Sequence, residues 1–408
     1  MMERRKNLND KFGFVEIMEY TSIGESCSVV SGGTPSRSKN EYWENGNIPW
    51  IKIGNIKSKY VNEYDELITE QGLNNSSAKL LKKGTILYTI FATLGEVGIL
   101  DIEACTNQAI AGINITDPRI TTDYLYYYLK SKKDYVNNIG RGVAQNNINL
   151  TTLKNFEIPL IDVDKQSNIV EILEKVERMI CLKEKEIDDL DLLIKARFIE
   201  MFGDPYTNPL KWEKLKIKDA VTVEPQNGLY KPQSDYVTDR SGIPILRIDG
   251  FYDGIVTDFA SLKRLKCSET EKQKYLLLED DIVINRVNSI EYLGKCAHIK
   301  GLLEDTVYES NMMRMHFDPE TYNSAYICKL LCSQFIYDQI VNHAKKAVNQ
   351  ASINQKDVLD FNIYQPPIDL QNQFADFIQQ VDKSREAVKK SLEKTQQLYD
   401  SLMQEYFG

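Results

Sequence analysis

The stretch GVAQNNIN, residues 142–149, returns as AVNQASIN, residues 347–354, so Val-x-Gln-x-x-Ile-Asn occurs twice about half the chain apart. The amides, with Arg141, Lys345 and Lys346 beside them, carry donors, acceptors and positive charge but nothing that titrates near neutral pH. Such groups recognise polar edges and anions, or cap helices and brace turns. Bond-making chemistry would need other residues, and the chain offers few. His298, His316 and His343 lack metal-ligand spacing, and the seven cysteines include no CxxC pair. Neither a metal nor a disulfide framework is expected. Cys328 and Cys332, four apart in a probable helix, read as small buried hydrophobes. No GxxxxGK[ST] phosphate loop occurs, which removes an ATP-driven motor. With so few histidines, a nucleophilic triad has no support.

The elements that must hold these residues are outlined by the repeat itself. From Gly142 to Gly203, adding 205 lands on residues 347–408 without a gap. Val143 meets Val348, Gln145 meets Gln350, Phe156 meets Phe361, Gln166 meets Gln371, and the segments close as Met201-Phe202-Gly203 and Tyr406-Phe407-Gly408. Upstream, NIPWIKIGNI at 47–56 resembles GIPILRIDGF at 242–251 with an offset of 195, each after a polar, glycine-containing loop. Further strands are predicted at 84–90 and 281–287, then helices at 123–133 and 325–340. Each half is thus a mixed α/β unit followed by a long helix. The tyrosines of DYLYYYLKSKK are expected in the core, packed against a sheet.

Stepping by four and three from Ile169 gives Leu173, Val176, Ile180, Lys183, Ile187, Leu190, Ile194, Arg197 and Met201, the seam of an amphipathic helix. The second copy steps from Phe374 through Ile378, Val381, Arg385, Val388, Leu392, Thr395, Tyr399 and Leu402 to Tyr406 in the same register. One such helix cannot hide its stripe alone, so each is expected to bury its seam against the other. About 35 residues at 1.5 Å each make a rod of roughly 50 Å. Paired antiparallel, two rods would hold the units apart by more than one turn of B-DNA, roughly 34 Å.

At 408 residues the chain suits two cores. No run of roughly 18 apolar residues follows the basic amino terminus, and a cytoplasmic protein without membrane contact is expected. A net charge of -9 argues against nucleic acid unless charge is segregated. It is segregated. Residues 31–60 and 130–154 are basic, whereas Glu171, Glu174, Glu177, Glu184, Glu186, Asp188, Asp189 and Asp191 concentrate acid at helical spacing, read as a solvated face.

Two divergent α/β units, each followed by a similar helix, with IPLIDVDKQSNIVEIL and PPIDLQNQFADFI at the junctions, resemble the specificity subunit of Type I restriction-modification systems. The likeness covers nearly the whole length. It implies two tandem, pseudo-symmetric target recognition domains of mixed α/β (α+β) class, separated by two long antiparallel coiled-coil helices. The expected boundaries are 1–165, a central spacer helix at 166–203, a second domain at 204–370 and a C-terminal spacer helix at 371–408. The first junction departs from the family pattern in having Leu160 and Ile161 where a second proline is usual.

The resemblance further implies that Arg141, Gln145, Asn146 and Asn147, and Lys345, Lys346, Asn349, Gln350 and Ser352, form twin loops near DNA. Gln and Asn suit adenine edges, and Lys and Arg suit phosphates or guanine. Asn149 and Asn354 are instead expected to cap a following helical turn. Specificity should sit where the halves differ: Thr34, Ser36, Arg37, Lys39, Lys52, Asn55 and Lys57 in the first, and Asn227, Tyr230, Lys231, Arg247, Asp249, Arg286 and Asn288 in the second. The implied partners are double-stranded DNA and two methyltransferase subunits, which would carry S-adenosylmethionine, with room for restriction or translocase subunits. No cofactor is expected in this chain. An adenine methyltransferase would need a glycine-rich loop and Asn or Asp before Pro-Pro-aromatic. Gln365-Pro366-Pro367-Ile368 lacks both the amide or carboxylate and the ring, and reads as a rigid turn. The competing class is a protein-interaction scaffold without a DNA role, built on the repeated helices.

Overall fold

Apolar runs bounded by glycine, proline and asparagine become strands, and the Ile-Pro pairs open two of them, Ile48–Ile51 and Ile243–Leu246. A computed structural model describes residues 19–140, 147–256 and 258–408. The chain divides into two units of mixed helix and sheet, Met1–Glu184 with Ser391–Gly408, and Lys185–Lys390.

In the first unit a five-stranded sheet runs in the order Cys27–Ser31, Ile110–Ile115, Ile86–Thr89, Val97–Leu100, Tyr60–Val61, with only the last pair parallel. Alternation sends Ile86 and Tyr88 to one core and Leu87 to another, so both faces are covered. A smaller sheet joins Glu66–Ile68, Ile48–Ile51 and Cys105–Thr106, the last pair again parallel. The second unit repeats this plan strand for strand. Its larger sheet runs Val221–Asn227, Met312–Phe317, Ile282–Asn285, Cys296–His298, Gly254–Val256 and adds Phe251–Tyr252 at the edge. Its smaller one runs Arg264–Leu265, Ile243–Leu246, Val307–Tyr308 and adds Tyr236–Val237. The larger and smaller sheets of the two units therefore share one strand order among the described residues, even where the sequence hardly shows it.

Tyr124, Tyr126, Tyr127 and Tyr128 are all buried on the helix Thr122–Ser131, as packing against a sheet predicts. The helix predicted at 325–340 is two, Ser324–Leu331 and Gln334–His343. Ser333 takes an extended backbone (φ −78°, ψ 157°) and starts the second, since serine competes with helix backbone and favours caps. Cys328 is buried, but Cys332, at the break, is exposed, so the reading as buried hydrophobes holds for only one of the two.

The long helices are Val163–Phe202 and Ile368–Phe407, 40 residues each, hence about 60 Å rather than 50. The units do not break at the ends of these helices. Each helix gives its first part to one unit and its last part to the other. In the first unit Leu173 and Val176 share a core with Tyr399, Met403 and Phe407. In the second, Phe198 and Phe202 pack on Phe374, at centroid distances of 5.6 and 5.4 Å. Within each unit, then, the start of one helix lies beside the end of the other. Every seam position is buried or half-buried, Ile187, Leu190, Ile378, Val388 and Leu392 included. Arg385, a polar member, is buried and bonded to Asp191 and Asp382.

Asp191 receives Arg385 while its side chain stays 43% exposed, and one acid expected on the solvated face, Glu177, is drawn off it. Glu177 accepts from Tyr127 Oη (2.7 Å), Lys130 Nζ (2.5 Å) and Tyr399 Oη (2.8 Å), binding both long helices to the tyrosine helix.

One residue type ties the start of each long helix to the segment that leads into the shorter helix before it. Gln166 and Gln371 are fully buried. The Gln166 amide accepts from Thr121 N (2.9 Å) and donates to Arg119 O (2.6 Å) and Ile161 O (2.9 Å). Gln371 accepts from Asn323 N (2.9 Å) and donates to Thr321 O (2.9 Å) and Pro366 O (2.8 Å). A buried amide with its donors and acceptors satisfied holds two elements in one register. Pro366-Pro367 form the turn into the C-terminal helix, with Pro367 O accepting from Leu370 N at 3.0 Å.

Candidate nucleic-acid interface

The polar loops nominated by the sequence are pinned at glycine. A Cβ on Gly33 would lie 2.3 Å from Ser77 Oγ, and one on Gly228 would lie 2.3 Å from Glu309 O. Only glycine permits these approaches. The loops therefore leave the sheets along fixed paths.

Beyond Gly33, Arg37 lies with its guanidinium carbon 3.6 Å from the Trp43 ring centroid and pairs with Glu66 (2.5 Å). Lys52 reaches the same carboxylate at 2.7 Å. Hydrogen bonding from Arg37 holds Glu66 below the usual carboxylate range, and the bond to Glu66 raises Lys52. Thr34 is bonded to Gln108, Ser36 to Ser38, and Lys39 to Tyr42. Asn55 is buried, accepting from Lys52 N and donating to Asp65, so it braces its own turn. Lys57 is exposed and 3.5 Å from Glu63.

In the second unit Lys231 pairs with Glu271 (2.9 Å), whose carboxyl is pushed down to about 2, first by the Ser268 backbone N–H and then by Lys231. Arg247 stands where the first unit has Lys52; it bonds Tyr236 Oη at 3.1 Å and lies within 4 Å of Asp249 and Glu309. Asn227 ends its strand exposed, and Tyr230 is exposed.

The remaining nominees converge. Lys345–Lys346 and Ala351–Ser352 form a β-ribbon closed by Ala347 N donating to Gln350 O at 2.7 Å. Ala351–Ser352 also pairs with Val287–Asn288, and Ile353 N donates to Arg286 O (3.0 Å). Ala351–Ser352 thus lies between Val287–Asn288 and Lys345–Lys346 in one small sheet, although about 60 residues separate the outer strands; Arg286 donates to Ser310 O (3.2 Å), and Asn288 accepts from Ser289 N (2.8 Å). Buried Ala351 and Ile353 weld the ribbon to the core. Arg37, Lys52, Lys57, Lys231 and Arg247 lie on carboxylates, whereas neither Lys345 nor Lys346 has an ion-pair partner among the described residues, and both are exposed.

Asn149 accepts from Thr152 N (2.7 Å) and Asn354 from Lys356 N and Asp357 N (2.9 and 3.2 Å), the expected caps. Arg141, Gln145 and Asn146 lie outside the described residues. Asn147 bridges to Phe91. Sequence reasoning missed Trp43 and Glu66. The two tryptophans seven apart were the available signal for the first, and nothing local marks the second. It also missed the pairing of His316 Nδ1 with Asp281 (3.0 Å), where the fully buried Asp281 is further held by Arg314 and Leu278 N. That arrangement is a core clamp. Among the described residues no group of three or more His, Cys, Asp or Glu could hold a metal, and no helix is long and apolar enough to cross a membrane.

The Type I restriction modification DNA specificity domain matches the chain twice, over residues 16–192 and 209–397, and the chain belongs to that family. It is 30% identical over 274 residues to the specificity subunit of the Type I restriction enzyme MjaIX of Methanocaldococcus jannaschii, covering 62% of each chain. Against the EcoKI specificity subunit of Escherichia coli K12 the identity is 22% over 411 residues, 94% of this chain and 87% of that one. The chain therefore spans less than two thirds of the MjaIX subunit and most of the EcoKI subunit. A solved chain from work on complex assembly and conformational transition of the type I R-M system shares the fold, with a TM-score of 0.63, 16% identity and coverage of 97% and 98%.

Proposed function

We propose that this chain is the sequence-reading subunit of a Type I restriction-modification complex, acting in the cytoplasm without a catalytic centre of its own. Each unit contacts one half of a bipartite, asymmetric target in double-stranded DNA. The observation that carries the reading is the ribbon at 345–352: Lys345 and Lys346, with no ion-pair partner among the described residues, stand with exposed Asn349 and Gln350 on a frame fixed to the core through Val287–Asn288. Lysines of this kind bind phosphate, and Asn and Gln read adenine edges. The ion-paired Arg37, Lys52, Lys57, Lys231 and Arg247, with their loop neighbours, form the second tier: the exposed Lys57–Glu63 pair is weak and yields to a phosphate, whereas Lys231 and Arg247 are largely covered and would have to leave their carboxylates. Two methyltransferase subunits carrying S-adenosylmethionine would modify adenine, with restriction or translocase subunits joining them.

Sequencing that detects modified bases, in the native genome with and without this gene, tests the reading. A split motif should lose its modification when the gene is absent. Exchanging residues 15–160 for those of a relative should change one half of that motif only; a change in both halves, or no loss of any motif, would overturn it. Inserting one heptad in each long helix is expected to change the number of spacer bases and leave both half-sites as they are.

A further inference from the structure

The repeated Val-x-Gln-x-x-Ile-Asn can be divided by what each residue does. Ile148 and Ile353 are buried, and Asn149 and Asn354 cap helices. Packing and capping account for those. They do not account for the valine and the glutamine. Val348 is 98% exposed at the tip of the ribbon, and Gln350 is exposed beside it. An apolar, β-branched side chain in water gains nothing from the fold. Yet the sequence carries a cation, then valine, then glutamine in both copies, as Arg141-x-Val143-x-Gln145 and Lys346-x-Val348-x-Gln350.

Residues shared by two units that read different sequences serve something both half-sites share. If adenine is modified in each half, both contain an adenine–thymine pair, and thymine alone offers a methyl group in the major groove. A two-stranded ribbon fits that groove, and lysines at its base meet the flanking phosphates. We propose that the ribbon Lys345–Ser352 enters the major groove of the second unit's half-site and that Val348 packs against a thymine C5-methyl there. Val348 is then a specificity-determining residue that senses thymine by apolar contact, while Gln350 faces the neighbouring base edges. The proposal rests on the DNA-reading function above and is argued for the second unit, where the ribbon is described.

The test uses the chain assembled with its methyltransferase subunits and a duplex bearing the mapped target, with thymines of that half-site replaced singly by uracil, which lacks the methyl. Val348→Ala is expected to weaken binding on the order of tenfold and one uracil replacement about fourfold. In the V348A complex that same replacement should cost nothing further, while replacements in the other half-site act alike on both proteins. The thermal midpoint of V348A should be unchanged, because the side chain it shortens is 98% exposed. Wild-type affinity in V348A, or uracil effects that are the same in variant and wild type at every thymine, would overturn the contact. If the wild-type complex fails to prefer the mapped duplex over a scrambled one, the DNA-reading function falls and this contact with it.

Discussion

The first unit seats its helix ends on an ionic knot, Glu177 with Tyr127, Lys130 and Tyr399, beside Lys59 bridging Asp123 and Glu174. The second unit has no such knot and relies on rings at its helix end, where Phe198 lies 5.7 Å from Tyr326 at 12° and Phe202 lies 4.6 Å from Tyr326 and 5.4 Å from Phe374; the first unit has a thinner version there, with Tyr124 5.3 Å from Phe407. By the 205 offset, Glu177 corresponds to Asp382 and Tyr399 to Ile194. What stays constant is narrower. Each unit keeps the buried glutamine, the asparagine cap, a phenylalanine at the helix end, and a tyrosine hydroxyl on a strand carbonyl: Tyr124 to Pro159 O and Tyr326 to Tyr364 O. A few satisfied polar groups set the register of the elements, and the remaining contacts are free to be ionic or aromatic so long as they fill the space.

The largest test of that contrast is Phe202→Ala, expected to cost the second unit about 3–5 kcal/mol through the cavity left in its aromatic stack, read from denaturant unfolding or hydrogen exchange in the helix Ser324–Leu331. Salt should not change that loss. Gln166→Ala and Gln371→Ala should come next, each about 2–3 kcal/mol, because both strand a buried backbone N–H and carbonyls. The two values should be similar; a loss at one site alone would mean that the clamps are not equivalent. Glu177→Gln is expected to cost about 1–2 kcal/mol, in the first unit only, and to be partly relieved by salt. The counterpart change, Asp382→Asn, should cost less, since Asp382 bridges to Arg385 on its own helix.

Acid should separate the units by a smaller margin. Burial lowers His298 below its ordinary value despite Asp280 at 2.8 Å. As pH falls, the unfolded chain takes the proton first, so the stability this histidine contributes above about pH 6.5 is lost as pH drops through its lower folded value. The first unit has no histidine. Burial alone would raise Glu177, but Lys130 and the two tyrosines hold it below the ordinary carboxylate value. Its contribution persists above about pH 4.5 and disappears only as pH falls through its folded value. Hydrogen exchange near pH 5.5 should therefore show weakened protection in the second unit alone. Equal weakening in both units would remove His298 as the cause.

Much of this was legible in the chain, for local reasons. Helix seams, caps and the Ile-Pro strands depend on residues within a turn or two of one another, so periodicity and residue type disclose them. The candidate interface was legible only as a set of parts. Arg37 and Lys52 were visible as cations, but their shared Glu66 was not, because Glu66 is brought to them by pairing of Glu66–Ile68 with Ile48–Ile51. Glu177 looked like one more acid on a wet face until the tyrosine helix and the C-terminal helix closed over it.

By itself, then, the sequence determined the two-fold repetition, the long helices with their apolar stripes, and the asparagine and glutamine positions that start and anchor them, since each follows from spacing along one segment. Only the tertiary structure decided which charges are neutralised and which are left open. It joined Val287–Asn288 and Lys345–Lys346 to the two edges of Ala351–Ser352 and left Val348 in water at the tip. The physical reason is that a charge finds its partner through strand order and register, which join residues far apart in the chain and leave no trace in local spacing.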